Sequence, residues 1–199
     1  MIHPDTELKY INESIGFGVF ATGFIPAGTM TWVLDDLDQK MDESFVKKLD
    51  PLRWAQVSKY SYKDHEGKYV LCWDLGRFVN HSFNANCVGT AYDFSIAFRD
   101  IYPGEELTED YRSYCSDCDF ECLPENEFTP RIITTHDFWQ HYQEWDLQAT
   151  EGMQYFNQVK QPLGFLLNPI FSEKIKAIAS GFQSLDSLSS RYQKPDFAA

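Results

Sequence analysis

The sequence predicts a mainly β fold with added helices, and three observations carry that prediction. Short apolar stretches alternate with glycines and polar turns up to about residue 112, a pattern typical of short strands. A charged segment at residues 35–64 has apolar residues at helical spacing. The same spacing returns beyond Pro130 and dominates the remaining residues. We therefore expect a β-rich unit, a helical insertion within it and a helical C-terminal extension.

Composition indicates a folded, acidic protein. Hydrophobic residues make up 43% of the 199-residue chain, enough for a buried core. The 30 acidic and 17 basic residues leave a net charge of −13, which repels phosphate backbones and attracts basic proteins or peptides. No apolar run approaches the ~20 residues that span a bilayer, and the N-terminus lacks a signal-peptide pattern. We expect a cytoplasmic protein without nucleic-acid or membrane binding; a nuclear location and secretion into a host stay open.

The first strands are predicted within residues 8–33. Residues 16–21 have the sequence GFGVFA, and a turn is expected at residues 26–28, PAG. Gly16 and Gly18 let the backbone approach another group closely. Taken alone, a Gly-x-Gly pattern is typical of an ordinary turn. No third glycine opens a helix after it, so the dinucleotide-binding fingerprint is excluded.

The insertion at residues 35–64 follows. Phe45, Val46 and Leu49 lie at helical spacing until Pro51, and a second short helix is predicted after that proline. Tyr60 and Tyr62 then alternate with polar residues. This alternation suits an edge strand or the lip of a pocket.

Two dense polar segments follow predicted strands. Residues 77–87, RFVNHSFNANC, come directly after a predicted strand at residues 69–73. Burying so many polar groups beside a core is costly unless the fold or a ligand satisfies each of them. A polar hairpin turn would explain this segment alone. A further strand is predicted at residues 90–98, with Ile96 and Phe98 on one face, and the second polar segment, GEELTEDY, occupies residues 104–111.

Together these blocks resemble the signature segments of SET-domain protein lysine methyltransferases. Residues 16–21 look like the Gly-x-Gly opening of that family, and residues 77–82 match its Arg-Phe-(Ile/Val)-Asn-His-Ser segment. Residues 99–111 match its closing Asp-Ile…Gly-Glu-Glu-Leu-Thr-x-Asp-Tyr. The order and intervals are also similar, over roughly residues 8–112. The resemblance implies a short free-standing SET protein with a β-clip fold, in which the two segments cross in a knot-like arrangement near the site.

The resemblance also implies a cofactor, S-adenosylmethionine, and a set of site residues. The cofactor would lie on one face of the crossing and the peptide on the other. The expected cofactor-binding residues are Gly16, Phe17, Gly18, Tyr60, Asn80 and His81. The expected lining of the substrate channel is Tyr62, Ile96 and Phe98. Relatives often place at the position of Ile96 the aromatic residue that governs how many methyl groups are added, so this multiplicity stays open.

Tyr111 is the expected catalytic residue. A phenol can orient the lysine amine for in-line methyl transfer and interact favourably with the developing charge. Burial disfavours the charged form of lysine, so a narrow channel favours the neutral amine. Glu105, Glu106, Glu109 and Asp110 also suggest a paired-carboxylate hydrolase. Nothing else supports sugar chemistry, and we expect structural hydrogen bonds or a rim that attracts a basic peptide.

The cysteines mark a departure from the family. Phe83 stands where many relatives carry a zinc-binding cysteine, and Ala85 replaces an expected proline. Thiolates can hold zinc tetrahedrally, and the weak candidates for such a site are Cys87, Cys115, Cys118 and Cys122. Their spacing is not that of relatives. We favour free thiols in a reduced protein and keep zinc as the alternative.

The predicted organisation is a SET domain at residues 1–114, a post-SET-like segment at 115–130 and a helical extension at 131–199. Thr134 or Thr135 is expected to cap a helix. A last helix is predicted from Asn168, with an apolar stripe at Phe171, Ile175, Ile178, Phe182, Leu185 and Leu188. The stripe packs on the domain in the simpler interpretation, or forms a dimer seam. We expect the extension to close the active site in place of a zinc-bound segment.

The sequence thus predicts an S-adenosylmethionine-dependent methyltransferase that acts on lysine in a basic protein or peptide, such as a histone-like tail. Two other classes stay open at this point. One is an inactive SET-like module that binds basic peptides, and the other is a small zinc or redox protein built on the cysteines.

Overall fold

A computed structural model describes residues 1–114 and 119–193. The chain begins with an antiparallel hairpin of β1 (Thr6–Asn12) and β2 (Gly16–Ala21), in which Leu8 faces Val19. Gly16 has a φ of +86°, which favours glycine at the turn between them. The predicted turn at residues 26–28 is confirmed, and β3 (Met30–Val33) follows it.

The insertion contains two helices, as predicted, and a small sheet. The helices are α1 (Glu43–Val46) and α2 (Pro51–Tyr60). Pro51 lies in the first turn of α2, where it needs no amide hydrogen, and the Asp50 side chain caps that helix. Strands β4 (Gln39–Met41), β5 (Ser61–Lys63) and β6 (Tyr69–Leu71) form an antiparallel sheet in the order β4-β6-β5. The edge strand expected at Tyr62 is therefore confirmed.

A five-stranded sheet carries the crossing of the two polar segments. Its order is β3-β9-β8-β10-β7, where β7 is Asn80–His81, β8 is Cys87–Gly89, β9 is Phe94–Ala97 and β10 is Thr108–Glu109. β10 lies parallel to both β7 and β8 and sits between them. The connection from β7 to β8, residues 82–86, must therefore pass across β10. This is the knot-like crossing that was expected.

The C-terminal part is helical, with one correction. After β11 (Phe120–Glu121) and β12 (Ile132–Ile133), α3 spans Thr135–Tyr155 and begins at Thr134, whose hydroxyl and amide both donate to Asp137. α4 (Pro169–Ala179) is capped by Asn168. It ends before Gly181, which has a φ of +76°. The prediction of one helix reaching Leu188 is therefore wrong, and Phe182 is 84% exposed.

One hydrophobic core joins the sheet to the C-terminal helices. Met30, Phe94 and Ile96 from the sheet share a cluster with residues of α3 and α4, which are Phe138, Trp145, Ala149, Met153, Ile175 and Ile178. Leu188 also belongs to this cluster, and Phe171 and Leu185 pack against it. Apart from Phe182, the apolar stripe thus packs on its own chain, as in the simpler interpretation. Within the described part of the chain, no helix has the length and apolar character needed to cross a membrane.

Candidate active site

A cavity of about 400 Å³ opens beside the crossing. Its walls come from the insertion, from the first polar segment and from the residues around β10. Aromatic rings dominate them, namely those of Trp32, Trp54, Tyr60, Tyr62, Tyr69, Tyr111, Tyr114 and Phe120. A cavity of this size and character is suited to one side chain or small ligand.

Tyr111 lies in the cavity wall and is held from two directions. Its hydroxyl donates to the Val79 carbonyl at 2.5 Å, and its backbone amide donates to His81 Nδ1 at 3.1 Å. Its ring packs against Phe120 at a centroid distance of 5.5 Å. Burial raises the pKa of Tyr111, so the residue presents a neutral phenol.

Asp110 fixes the backbone next to this tyrosine. Its carboxylate forms an ion pair with Arg112 at 2.6 Å and accepts a hydrogen bond from Trp145 Nε1 of α3 at 3.2 Å. It also accepts from the Arg112 amide, which starts the 3₁₀ turn at Tyr111–Ser113. The turn that presents Tyr111 is therefore anchored to the C-terminal helix.

His81 has a buried donor that none of the described residues uses. Nδ1 accepts from the Tyr111 amide, so the neutral ring carries its hydrogen on Nε2. Nε2 is buried and has no hydrogen-bond partner among the described residues. Burial lowers the pKa of His81, against the opposing effect of Asp110 at 3.9 Å. A buried donor without a partner is rare in folded proteins and is suited to a ligand acceptor.

Gly18 and Asn80 meet at a close backbone contact. Asn80 Nδ2 donates to the Phe17 carbonyl at 3.0 Å and to Glu106 Oε1 at 2.7 Å. A Cβ built on Gly18 would lie 2.2 Å from that same oxygen, so the space admits only glycine without rearrangement. The structure thus brings the Gly-x-Gly turn and both polar segments together.

Comparison with known families decides what this arrangement is. Residues 16–112 match the family model described as SET domain. Residues 16–112 are a SET domain. No curated protein matches it. The matched range ends within the turn that carries Tyr111, so α3 and α4 lie outside it even though they share the core of the SET domain.

The predicted cofactor-binding residues are Gly16, Phe17, Gly18, Tyr60, Asn80 and His81. Of the six, Tyr60 lines the cavity itself. It reaches the others through aromatic contacts, because its ring packs on Phe78 at 5.2 Å and Phe78 packs on Phe17 at 6.2 Å. Gly18, Asn80 and His81 lie at the crossing, through the contacts described above. Gly16 lies apart from them, at the turn between β1 and β2.

The substrate-channel prediction needs a correction. Tyr62 lines the cavity, whereas Ile96 and Phe98 do not. Ile96 is fully buried against α3, where a Cβ on Gly152 would lie 3.3 Å from its side chain, and Phe98 packs on the same cluster. Side chains alternate along β9, so Ser95 lies on the opposite face from Ile96, where it hydrogen-bonds to Glu109.

Several cavity residues were not predicted as site residues. Tyr114 follows Tyr111 by three positions in a 3₁₀ turn, a spacing that places both rings on one side and was readable from the sequence. Glu109 was expected to make structural hydrogen bonds or a rim, and it lies buried in the cavity lining. Trp32, Trp54 and Tyr69 carry no local signal, because only the tertiary fold brings their elements to the cavity.

The cysteines do not assemble a zinc site in the described residues. Cys87 belongs to the cluster around Val19 and Leu107, whereas Cys122 packs with Ile133 in a separate cluster. Burial raises the pKa of both thiols, and no group of three or more potential ligands occurs within residues 1–114 and 119–193. Cys115 and Cys118 lie outside the described residues.

Part of the expected role of the C-terminal extension is also corrected. The described residues that close the cavity after Tyr114 are Asp119 and Phe120, and no residue of α3 or α4 lines it. The helices instead support the site from behind, through Trp145 and the shared core.

Proposed function

We propose that this protein transfers a methyl group from S-adenosylmethionine to the side-chain amine of lysine in a basic protein or peptide. SET-domain proteins are mostly protein lysine methyltransferases, and they generally use S-adenosylmethionine. The single observation that carries the proposal is the position of the Tyr111 hydroxyl, which lies in the wall of an aromatic cavity directly beside the crossing.

The residues at the crossing fit the cofactor. His81 Nε2 provides a buried donor that has no hydrogen-bond partner among the described residues and could donate to a ligand acceptor. Asn80, Phe17 and Tyr60 complete the group that would hold it. When bound, S-adenosylmethionine supplies an electrophilic methyl group on a positively charged sulfur.

The aromatic walls would bind the lysine side chain and remove water from it. Ring faces attract an ammonium group through cation–π interactions, and they exclude water from the amine. The Tyr111 hydroxyl donates its hydrogen to Val79, so its oxygen would act as an acceptor for an N–H of the substrate. Such a hydrogen bond fixes the direction of the amine lone pair for an in-line displacement.

Charge indicates how a substrate approaches. The net charge of −13 attracts a basic segment over a distance. Lys59, Lys63 and Arg77 line the cavity, so the residues immediately beside the target lysine need not be basic. We therefore propose a substrate that is basic overall and uncharged or acidic next to the modified lysine.

The test is transfer of an isotope-labelled methyl group to arrayed lysine peptides that vary the charge around the lysine. The proposal expects label on the lysine side chain and a preference for peptides without a basic immediate neighbour. Absence of label on every peptide, together with no calorimetric signal for S-adenosylmethionine, would leave an inactive SET-like module as the better account.

A further inference from the structure

Glu109 places a carboxyl group at the inner end of the aromatic cavity. It is the second residue of β10, where it pairs with His81 on one side and Cys87 on the other. The residue is only 8% exposed, yet it lines the cavity. Asp119, the other acidic residue of the described lining, is exposed at the opening.

Among the described residues, the side-chain hydrogen-bond partners of this carboxyl are hydroxyl groups. The Tyr114 hydroxyl donates to it, and the Ser95 hydroxyl also hydrogen-bonds to it. No Lys or Arg in residues 1–114 or 119–193 forms an ion pair with it, although buried carboxylates ordinarily have such a partner. A cation delivered by a ligand into the cavity would supply the missing charge.

We propose that Glu109 receives the lysine side chain as an ammonium ion and accepts its proton. This inference rests on the proposed methyl transfer. In the step, one N–H bond of the ammonium breaks, an O–H bond forms on the Glu109 carboxylate, and the electron pair stays on nitrogen. The neutral amine is then the nucleophile, and the carboxyl returns its proton to solvent after the product leaves.

The surroundings of Glu109 favour this direction of transfer. A neutral amine and a neutral carboxylic acid cost less in an apolar cavity than two separated charges. Burial raises the pKa of Glu109, so the carboxyl retains a proton that it receives. Lys59, Lys63 and Arg77 contribute positive charge to the same cavity. The described titratable groups that interact with the carboxyl directly are Tyr111, Tyr114, Cys72 and Cys87, and burial raises the pKa of each. All four are neutral at physiological pH, which leaves the carboxyl as the acceptor.

The binding test uses two probes of the same length, n-butylammonium, which mimics the lysine side chain, and n-butanol. Calorimetry on the wild-type protein should show preferential binding of the ammonium. Glu109→Gln keeps the shape of the side chain and should weaken n-butylammonium about tenfold while leaving n-butanol unchanged. Glu121→Gln removes the same charge from an exposed residue of β11 outside the cavity and should change neither.

The kinetic test follows the pH dependence of methyl transfer to the best arrayed peptide. Glu109→Gln should lower the rate about 10²-fold at neutral pH, and the loss should shrink as rising pH supplies neutral amine from solution. A merely structural role would lower the rate equally at every pH. If Glu109→Gln does not melt cooperatively, Glu109→Asp, which retracts the carboxyl, should show the same loss of ammonium preference.

The outcomes separate the two proposals. Equal binding of both probes by the wild-type protein overturns the role of Glu109, whatever the transfer assay shows. Methyl transfer by Glu109→Gln at the wild-type rate across pH overturns it too, and leaves the proposed function standing. A wild-type protein that prefers the ammonium but transfers no methyl group supports Glu109 as the cation-binding group and removes the methyltransferase proposal.

Discussion

Tyr111 is held in place by two residues that are distant from it in sequence, Val79 and His81. Its amide is tied to His81 and its hydroxyl to Val79, and both partners belong to the first polar segment. The sequence could predict this meeting because each segment is a local run of polar residues that an ordinary turn does not require. It could not predict the face of β9, since alternation shows that Ile96 and Phe98 share a side but not which side meets the cavity.

Gly18 provides a prediction at this scale. In Gly18→Ala the new Cβ would displace Glu106 and Ile11, because it would lie 2.2 Å and 2.7 Å from their side-chain atoms. We expect a loss of about 1–3 kcal/mol in the free energy of unfolding and weaker cofactor binding. Urea denaturation and calorimetry measure the two effects. Gly23→Ala is the matched control, since its nearest contact would be an ordinary 3.6 Å; equal effects of both substitutions would contradict the account.

Glu109 also links stability to pH. Burial raises the pKa of its carboxyl above the ordinary 4.5. Between the pKa of the unfolded chain and the higher pKa of the folded state, the folded protein binds a proton that the unfolded chain does not. Unfolding then releases a proton, and this residue's contribution to stability falls as pH rises through the window. The Tm of Glu109→Gln should therefore rise relative to the wild-type Tm as the pH increases from acidic to neutral. Parallel Tm curves would show that the carboxyl is not perturbed.

At the scale of elements, α3 supports the turn that carries Tyr111. Trp145 reaches Asp110 from this helix, and Gly152 allows the helix to approach β9 closely. The helix itself was predictable from its spacing and its Thr134 cap. β4 was not, because the sequence QKM has no strand signal and forms its ladder only when β6 is alongside. α4 ends just before Gly181, whose positive φ is typical of a glycine that ends a helix, but the apolar stripe that continues past this residue hides the signal.

Removal of the indole N–H tests this support. Trp145→Phe should lose about 1.5–3 kcal/mol of stability, because it deletes a buried hydrogen bond to a charged carboxylate. It should also lower methyl transfer, since Asp110 holds the turn of Tyr111. Trp139→Phe on the same helix is the control, as its Nε1 has no hydrogen-bond partner among the described residues. Thermal melts and transfer rates should separate the two variants; identical behaviour would argue against the Asp110 link.

At the scale of the whole molecule, the C-terminal helices and the SET domain share one core. Gln161 adds polar contacts, because its side chain accepts from the Met30 amide and donates to the Gly28 carbonyl. The sequence placed a boundary near residue 131 where the character of the pattern changes. A change of pattern shows where one kind of element ends, but not whether the elements on either side bury the same surface.

Truncation tests this shared core. A chain ending at residue 130 would expose Met30, Val33, Phe94 and Ile96, whose apolar surface α3 and α4 cover. Apolar exposure of this kind costs about 1.5–3 kcal/mol for each large side chain. We expect no cooperative melt by circular dichroism, whereas the full chain melts cooperatively. A truncated chain with a sharp transition would show that the SET domain folds without the extension.

The central claim is that Tyr111 performs methyl transfer in the aromatic cavity, and one measurement addresses it directly. Mass spectrometry of a lysine peptide incubated with S-adenosylmethionine compares the wild-type protein with Tyr111→Phe. We expect the peptide to gain methyl mass only with the wild-type protein, while the variant stays folded, binds the cofactor and loses about 1 kcal/mol of stability with the bond to Val79. Wild-type methyl transfer by Tyr111→Phe would contradict the account.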